Sequence, residues 1–228
     1  MKAQILAGAL LIAATGTAFA ADAVVEEVTV SVAPVFVWTG GYVGLQAGYG
    51  WGDSDTLFTE GYFPTDPDGF LGGLYAGYNY QFTNGIVAGV DADITYSNQD
   101  GSSIGYSTEG VPLPTESSSI DINWSGAIRG RLGYAVDRFL PYLAAGIAFA
   151  DVDHTVSNFI GTESYSGTLT GWTVGAGLDF AATDNLIVRA EYRYTDFGSD
   201  DYPSTLVSAP HEVDLENHEI RFGVAYKF

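Results

Sequence analysis

The chain has 228 residues with no cysteine, 28 acidic and 8 basic side chains, and a formal net charge of −20. The lack of cysteine excludes disulfides, thiol nucleophiles and cysteine-ligated metal sites. The acidity argues against a nucleic-acid partner, because no basic patch is available to neutralise phosphates. Acidic disordered segments are poor in aromatic residues, whereas this chain has 14% aromatic residues and 29 glycines.

The first 20 residues have the composition of a secretory signal peptide. Lys2 supplies a positive charge, the run from Ile5 to Ala14 is apolar, and Ala18-Phe19-Ala20 offers a small-x-small cleavage site. The alternative of an N-terminal transmembrane helix is disfavoured, because the apolar run is too short to cross a bilayer. Cleavage after Ala20 would remove Lys2 and change the net charge from −20 to −21.

The rest of the chain alternates apolar residues with polar or small ones. This period of two is typical of β-strands that have one apolar face. Both faces of the segment near 139–152 are apolar or small, and Leu143, Ala145, Ile147 and Phe149 are assigned to the outer face there. Eight strands are predicted, at about 40–52, 70–82, 86–97, 124–136, 139–152, 172–181, 186–195 and 219–228.

The connections between these strands also alternate, between short and long. Tight hairpin turns are predicted at Asn84-Gly85, Asp137-Arg138 and Asp184-Asn185. Long polar loops are predicted at about 53–69, 98–119, 153–168 and 198–216. Short turns at one end and long loops at the other are the layout of an outer-membrane barrel. A soluble lipocalin-like barrel would show the same alternation with its apolar face turned inward.

Aromatic residues on the apolar face favour the membrane barrel over the soluble one. They are concentrated near the two ends of the strands, with an aliphatic band between. Near the long loops they are Trp51, Tyr96, Trp124, Trp172 and Tyr194, and near the short turns they are Phe82, Tyr134, Phe180, Tyr226 and Phe228. Two aromatic girdles are typical of the two membrane interfaces.

Charged residues on the polar face support the same choice. The cations are Arg129, Arg131, Arg189, Arg193, Arg221 and Lys227, and the anions are Asp91, Asp93, Asp179, Glu191 and Glu219. A near-balanced set is what a tight interior requires, because an unpaired buried charge is costly. The apolar face is therefore predicted to contact lipid and the polar face to line the lumen. No other stretch is long and apolar enough for a transmembrane helix, so a closed barrel is the way for this chain to cross a membrane.

Several predicted strands carry motifs of a known family. They are Trp38-Thr39-Gly40-Gly41-Tyr42-Val43-Gly44, Gly72-Gly73-Leu74-Tyr75-Ala76-Gly77-Tyr78-Asn79, Arg129-Gly130-Arg131-Leu132-Gly133-Tyr134-Ala135, Gly171-Trp172-Thr173-Val174-Gly175-Ala176-Gly177, Arg189-Ala190-Glu191-Tyr192-Arg193-Tyr194-Thr195 and Arg221-Phe222-Gly223-Val224-Ala225-Tyr226-Lys227-Phe228. Over residues 38–228 the chain resembles the small "porin family" outer-membrane proteins of alphaproteobacteria, which are immunogenic, opacity-like eight-stranded barrels.

The resemblance implies an all-β fold, an eight-stranded antiparallel up-and-down transmembrane barrel with long extracellular loops and short periplasmic turns. It also implies a surface protein in the outer membrane of a Gram-negative bacterium, linked to envelope integrity, lipopolysaccharide association or host interaction. The terminal Phe228 resembles the signal that the barrel assembly machinery reads. The acidic, then apolar, segment 21–37 is expected to be a periplasmic tail, either a spacer or a contact to another envelope component.

The charged lumen has two possible roles. It could be a narrow cation-preferring pore, or a plug of ion pairs that holds the strands together. Eight strands enclose an interior just wide enough for side chains to fill, which favours the plug. The predicted function is therefore a structural, surface-exposed barrel that contributes to envelope integrity and surface interactions. The alternatives are the narrow porin and a ligand, haem or host-surface receptor that acts through the extracellular loops.

No enzyme, cofactor or metal site is predicted. His154, His211 and His218 fall in or near the long loops, and none sits in a nucleophile motif, although His154 lies close to Asp151 and Ser157. The same three histidines are the plausible haem ligands.

The acidic loops are expected to repel lipopolysaccharide phosphates unless divalent cations bridge the two. Asp66-Pro67-Asp68-Gly69 and Asp151-Val152-Asp153 could lend oxygens to calcium, but neither has the spaced ligands of a calcium loop. Ordinary solvated turns are the favoured interpretation of both segments.

Overall fold

The computed structural model describes residues 36–58, 61–157, 161–202 and 211–228. The predicted signal peptide and nearly all of the predicted tail lie outside these residues. Strands make up the regular structure of the described residues. In chain order they are β1 (Gly40–Phe58), β2 (Gly61–Thr65), β3 (Asp68–Gln81), β4 (Ile86–Ser107), β5 (Pro112–Tyr134), β6 (Phe139–Ser157), β7 (Thr162–Ala181), β8 (Leu186–Tyr202) and β9 (His211–Lys227). A helix of the length and apolarity needed to cross a membrane is not found in the described ranges.

The strands form an antiparallel barrel. From β3 to β9 each strand pairs with the next, and β1 closes the ring by pairing with β3 on one side and β9 on the other. The short β2 pairs with the outer parts of β1 and β4. The described residues thus form nine strands, eight of them in the ring, and the predicted all-β antiparallel barrel is confirmed.

Three tight turns join the strands at one end, here called the short-turn end. Gly85 in the β4 turn has a φ of +85°, and Asp137 before β6 has a φ of +52°. Gly and Asp are among the residues that enter this left-handed region at low cost. The predicted turns at 84–85, 137–138 and 184–185 are confirmed. The opposite end is called the long-hairpin end.

The predicted long loops are wrong for most of their length. In β6 and β7, for example, pairing continues to Ser157 and Thr162, and hydroxyl groups of Thr155 and Ser164 hydrogen bond across the two strands at 3.0 Å. The inner face of these extensions is apolar, but the outer face is polar and exposed. The alternation there was weak because both water and a protein interior must be satisfied, and the sequence therefore looked like a loop.

The outer wall between the two ends is apolar. Leu143, Ala145, Ile147 and Phe149 are all exposed, so the outward assignment of this segment of β6 is confirmed. Aliphatic residues of the neighbouring strands, such as Leu132 and Val174, are exposed beside them. Such a continuous apolar surface is typical of a wall that contacts lipid.

Two apolar clusters lie inside the ring, in the space called the lumen. The cluster at the short-turn end consists of Phe36, Trp38, Tyr42, Tyr75, Val87, Leu140, Ala181, Ile187 and Ala225. The cluster at the long-hairpin end consists of Ile120, Ile122, Ala127, Ala148, Ala150, Val152, Leu169, Phe197 and Leu215. The charged residues of the polar face lie between them.

Residues just before β1 form part of the first cluster. Trp38 is completely buried, and its backbone N–H donates to Gln81 Oε1 at 2.7 Å. Thr39 Oγ1 accepts a hydrogen bond from the Gln81 backbone at 2.9 Å. Phe36, which the sequence assigned to the tail, is also buried here. These residues form a lid over the short-turn end of the lumen.

Candidate functional site

The charged side chains of the lumen come from five strands. Strand alternation turns every second residue inward, and the register places opposite charges side by side on neighbouring strands. Asp91 on β4 is directly opposite Arg129 on β5, and Asp179 on β7 is opposite Arg189 on β8. Opposite charges at such positions attract, whereas like charges would destabilise the sheet. The pairing therefore begins from the register itself.

These side chains form one linear chain in which cations and anions alternate. Nine ion pairs with N–O distances from 2.7 to 3.5 Å connect its ten members. From the short-turn end the order is Arg131, Asp179, Arg189, Asp91, Arg129, Glu191, Arg193, Asp93, Arg221 and Glu219. We call this set the ion chain. No side chain in it is more than 5% exposed.

Arg129 has the most complete pairing in the middle of the ion chain. Its Nε and Nη2 donate to the two oxygens of Asp91 at 3.0 and 3.2 Å. Its Nη1 and Nη2 donate to the two oxygens of Glu191 at 2.8 and 3.1 Å. Such paired, charge-assisted hydrogen bonds fix the guanidinium in position as well as neutralising it. A member held in this way cannot move without leaving two buried carboxylates short of a partner.

Three tyrosines surround the short-turn end of the ion chain. Tyr42 accepts a hydrogen bond from Arg131 Nη1 at 2.8 Å, and Tyr142 donates to Glu191 Oε2 at 2.7 Å. The Arg131 guanidinium carbon lies 3.8 Å from the centroid of the Tyr142 ring, and that of Arg189 lies 4.5 Å from the Tyr75 ring. Cation–π contact of this kind stabilises a desolvated arginine.

Glycines make room for these rings. A Cβ at Gly77 would lie 2.4 Å from the Tyr42 hydroxyl, and one at Gly177 would lie 2.5 Å from Tyr142. Only a residue without a side chain fits beneath a tyrosine laid flat against the wall. The glycines of the polar face thus determine where the rings can lie.

Lys227 lies outside the ion chain, which corrects its assignment to the lumen network. Among the described residues it forms no ion pair, and its Nζ is 5.5 Å from the centroid of the Phe36 ring. It is the last residue of β9, so it reaches the lid rather than the middle of the lumen. The ion chain therefore holds five arginines and five carboxylates and is neutral, without the slight cationic excess expected from the sequence.

The lumen above the ion chain is also filled. Thr95 Oγ1 accepts from Gln46 Nε2 and from Arg221 Nη1, each at 3.1 Å. A cavity of about 10 Å³, room for a single water, lies between the ion chain and the upper apolar cluster, beside Asn217 and Glu219. Lid, ion chain and upper cluster thus occupy the length of the described lumen.

The predicted aromatic residues lie on the outer wall. Near the long hairpins, Tyr96 and Trp124 contact each other edge-on at 5.2 Å between centroids, and Trp172 and Tyr194 lie 5.4 Å apart. Trp51 stacks on the His218 ring at 5.9 Å. At the short-turn end Phe82, Tyr134, Phe180, Tyr226 and Phe228 are exposed.

The three histidines do not converge on a site in the described residues. His218 lies on the outer wall, where its Nδ1 is 2.8 Å from the Tyr192 hydroxyl. The side chains of His154 and His211 lie outside the described part of the chain. The suggested set of His154 with Asp151 and Ser157 consequently receives no geometry.

Comparison with known proteins identifies the family of the barrel. The family model described as "Outer membrane protein beta-barrel domain" matches residues 7–228. The chain belongs to this family. As the strand motifs indicated, it is an outer-membrane β-barrel protein.

Curated relatives in this barrel family are outer-membrane antigens. The chain is 36% identical to the "25 kDa outer-membrane immunogenic protein" of Brucella abortus biovar 1 (strain 9-941), covering 100% of this chain and 99% of that protein. It is 35% identical to the "31 kDa outer-membrane immunogenic protein" of Brucella melitensis biotype 1, covering both completely. It is 36% identical to the "22 kDa outer membrane protein" of Rhizobium leguminosarum bv. viciae, covering 86% and 81%.

A solved structure supports the barrel fold. The outer membrane protein OprG from Pseudomonas aeruginosa matches with a TM-score of 0.56 and 15% identity, over 86% of this chain and 99% of OprG. At this identity the likeness concerns the fold alone.

Replacement of Arg129 by leucine should strongly destabilise the barrel. The variant leaves Asp91 and Glu191 each short of one buried partner, which is expected to cost about 3–5 kcal/mol of unfolding free energy. The matched control is Arg138→Leu, because Arg138 forms an exposed pair with Asp184 at 2.7 Å and should contribute only about 0–1 kcal/mol. Urea unfolding in detergent, followed by tryptophan fluorescence, measures both. Equal losses in the two variants would contradict a stabilising ion chain.

Proposed function

We propose that this protein is a closed, structural barrel that contributes to envelope integrity and offers its long hairpins for surface interactions. The observation that carries the proposal is the ion chain, which fills the lumen between two apolar clusters. A solute path would require the lid, the ion chain and the upper cluster all to open.

The energetics of the ion chain argue against conduction. Separating an arginine from its carboxylates in a water-poor lumen leaves buried charges without partners, at a cost of several kcal/mol for each. The ion chain is also neutral, so it gives no preference for cations over anions. Its side chains are held in hydrogen-bonded pairs rather than free to act as acids, bases or nucleophiles, which supports a role without catalysis.

We propose that the two groups of exposed aromatic residues lie at the two membrane interfaces. Tryptophan and tyrosine favour that depth because their rings are apolar and their edges polar. The wall between the groups is aliphatic, which suits the hydrocarbon region. In this placement the membrane-spanning part of β5 is Trp124–Tyr134, and residues before Trp124 lie outside the bilayer core.

Carboxylates lie immediately beyond the aromatic residues of the long-hairpin end. In the register of the sheet, Asp53, Glu216 and Asp196 are neighbours on three successive strands, and Asp68, Asp100, Asp121 and Asp153 are neighbours on four. Like charges at such positions repel. No cluster of three metal-ligating side chains is found among the described residues. We propose that divalent cations bind here together with lipopolysaccharide phosphates, which supply the remaining ligands.

We also propose that Phe228 is read by the barrel assembly machinery during insertion. Its side chain is exposed and packs edge-on against Tyr226 at 5.3 Å between centroids. Its backbone N–H donates to the Gly41 carbonyl at 3.0 Å, where the end of the chain meets β1. The terminal residue thus lies at the junction that closes the ring.

Purified wild-type protein should give no stable conductance steps in planar bilayers, because the ion chain fills the cross-section of the lumen. Trp38→Ala weakens the lid but leaves the ion chain intact, and it should be silent as well. A general porin prepared in the same detergent is the positive control. Reproducible steps from the wild type would overturn the closed-barrel proposal in favour of a narrow pore.

Asp121→Asn should stabilise the barrel at neutral pH. Burial, and then the charges of Asp100 and Asp153, raise the pKa of Asp121 above its ordinary value. The fold therefore favours the protonated form, and stability falls as pH rises from about 3.9 through the raised pKa. The gain in the variant should disappear on acidification below that range, which thermal unfolding midpoints in EDTA will measure.

Magnesium should narrow the difference between wild type and Asp121→Asn at pH 7, because a cation relieves the same repulsion. Asp137→Asn is the control, since Asp137 lies in a short turn at the other end. A magnesium effect of equal size in all three proteins would contradict cation binding at these rows.

Phe228→Ala should lower the amount of folded protein in the outer membrane several-fold if the terminal aromatic residue is an assembly signal. Phe82→Ala is the matched control, because Phe82 is an exposed aromatic residue at the same end but not terminal. Heat-modifiable migration on SDS gels of membrane fractions measures the folded amount. Equal amounts in both variants would contradict the proposed signal.

A further inference from the structure

The wall of the barrel divides between β7 and β8 at the long-hairpin end. The two strands pair from Ala181 and Ile187 as far as Trp172 and Asp196. Beyond that point β7 continues as the partner of β6, and β8 continues as the partner of β9. Among the described residues the outer parts of β7 and β8 do not pair with each other.

A β-bulge in β8 causes the division. Asp196 is opposite Glu216 and the next pair is Ser199 with Asp214, so β8 has one residue more than β9 here. Gly198 has a φ of +68°, and its N–H donates to Asp196 Oδ1 at 2.7 Å. Bulges bend a strand and increase its twist. The separation is thus built into β8 by a glycine and an Asx hydrogen bond.

The base of the gap is tightly packed. A Cβ at Gly171 of β7 would lie 1.9 Å from the Asp196 carbonyl oxygen and 2.5 Å from the Phe197 Cα. Phe197 and Leu169 are both buried in the upper apolar cluster. The lumen therefore stays closed beside the gap, and what opens is the edge of β7 rather than a channel.

The outer part of β7 is consequently a sheet edge. From Ser164 to Thr170 each residue is paired with β6 on one side. Side-chain hydrogen bonds hold the hairpin in register, from the pair of Thr155 and Ser164 to that of Ser166 with Asp153. On the β8 side the alternate N–H and C=O groups of this segment face the gap. Such an ordered row of backbone groups is a template for another strand.

The sequence of this edge lacks the usual protection against strand addition. Natural edges are blunted by lysine, proline or inward charges. The segment from Ser164 to Thr170 reads Ser-Tyr-Ser-Gly-Thr-Leu-Thr, with no charge and no proline. Threonine and tyrosine favour β-structure. Nothing in the segment itself disfavours an incoming strand.

The charge around the edge indicates a basic partner. Asp196 lies at the base of the gap, Asp151 and Asp153 lie on the adjacent β6, and Asp200 and Asp201 belong to β8 across the gap. Every basic residue after the first 20 is elsewhere, since five arginines are in the ion chain and Arg138 and Lys227 are at the short-turn end. Complementary charge increases both the rate and the specificity of association.

We propose that the edge of β7 from Ser164 to Thr170 binds an extended, basic polypeptide segment of a partner protein by β-strand addition. Backbone hydrogen bonds supply affinity in this mode, and charge supplies selectivity. The inference deepens the surface-interaction role proposed above. It depends on that role only for access in the cell, because binding to the purified barrel is a property of the edge itself.

The first test uses synthetic peptides and the folded, full-length mature protein in detergent. The probe is a fluorescent peptide of alternating threonine and lysine, about nine residues long to match a strand. One control alternates threonine and glutamate, and the other is the lysine peptide with N-methyl groups at every second residue. Fluorescence anisotropy should show at least about tenfold tighter binding of the unmodified lysine peptide. No binding, or equal binding of the N-methylated peptide, would overturn the proposal.

Variants of β7 provide the second test. Successive residues of a strand direct their N–H groups to opposite edges, so of Gly167→Pro and Thr168→Pro one alters the gap side and the other the pairing with β6. The gap-side variant should keep wild-type heat-modifiable migration and bind the peptide about tenfold more weakly. Deletion of Gly198 should remove the bulge, extend the pairing of β7 with β8 and abolish binding. A folded gap-side variant that binds like the wild type would overturn the proposal.

Other occupants of the edge would give different results. Binding that appears only after residues 203–210 are replaced by a shorter linker would assign the edge to the chain's own segment. Crosslinking of two barrels through β7 would assign it to a second copy, and either result would overturn the proposal. Binding to purified protein but not to intact cells would support the edge and overturn the surface-interaction role.

Discussion

The pairing of ten buried charges is the constraint on which the rest of the barrel depends. Each arginine in the lumen must meet a carboxylate from a neighbouring strand or from across the ring, so the register of every strand that contributes is fixed by charge as well as by backbone pairing. Arg221, for example, contacts Glu219 on its own strand and Asp93 on β4 across the lumen. The ion chain therefore ties distant walls together in a fold that has no ordinary apolar core at mid-height.

The remaining lumen residues are arranged around this requirement. Tyrosine rings stack against the arginines where no further carboxylate is available, and glycines on the wall beneath them provide the space. Apolar clusters above and below keep water away, which strengthens each ion pair. Outside, the same strands present aliphatic side chains to lipid. Inside and outside are thus two readings of one alternating pattern.

Period-two alternation was sufficient to predict the strands, the three tight turns and which residues face inward. Arg129, Asp91 and their neighbours could be assigned to the lumen because unpaired charge is not tolerated on a lipid-facing wall. The linear order of the ion chain could not be predicted, since it depends on how long side chains reach across the ring. Lys227 was misassigned for a related reason: parity gives the face of a strand but not the height at which a side chain ends.

The strand extensions and the lid were missed because their signals are weak. Ile120, Val152 and Leu169 alternate with polar residues in segments that read as loops, although their inward period is the same as in the rest of the wall. Phe36 and Trp38 precede the alternating pattern, so nothing local distinguishes them from a tail. Their burial depends on strands far along the chain.

That dependence gives the lid a role in assembly. The side chains packed with Trp38 come from β4, β6, β8 and β9 as well as from the residue that ends β7. Residues near the start of the chain thus find their complete surroundings only after the final strand has joined the first. A barrel lacking one strand would offer Trp38 an incomplete pocket and leave a large aromatic ring in water. The lid therefore acts as a check on completeness, in which the beginning of the polypeptide is secured by the arrival of its end.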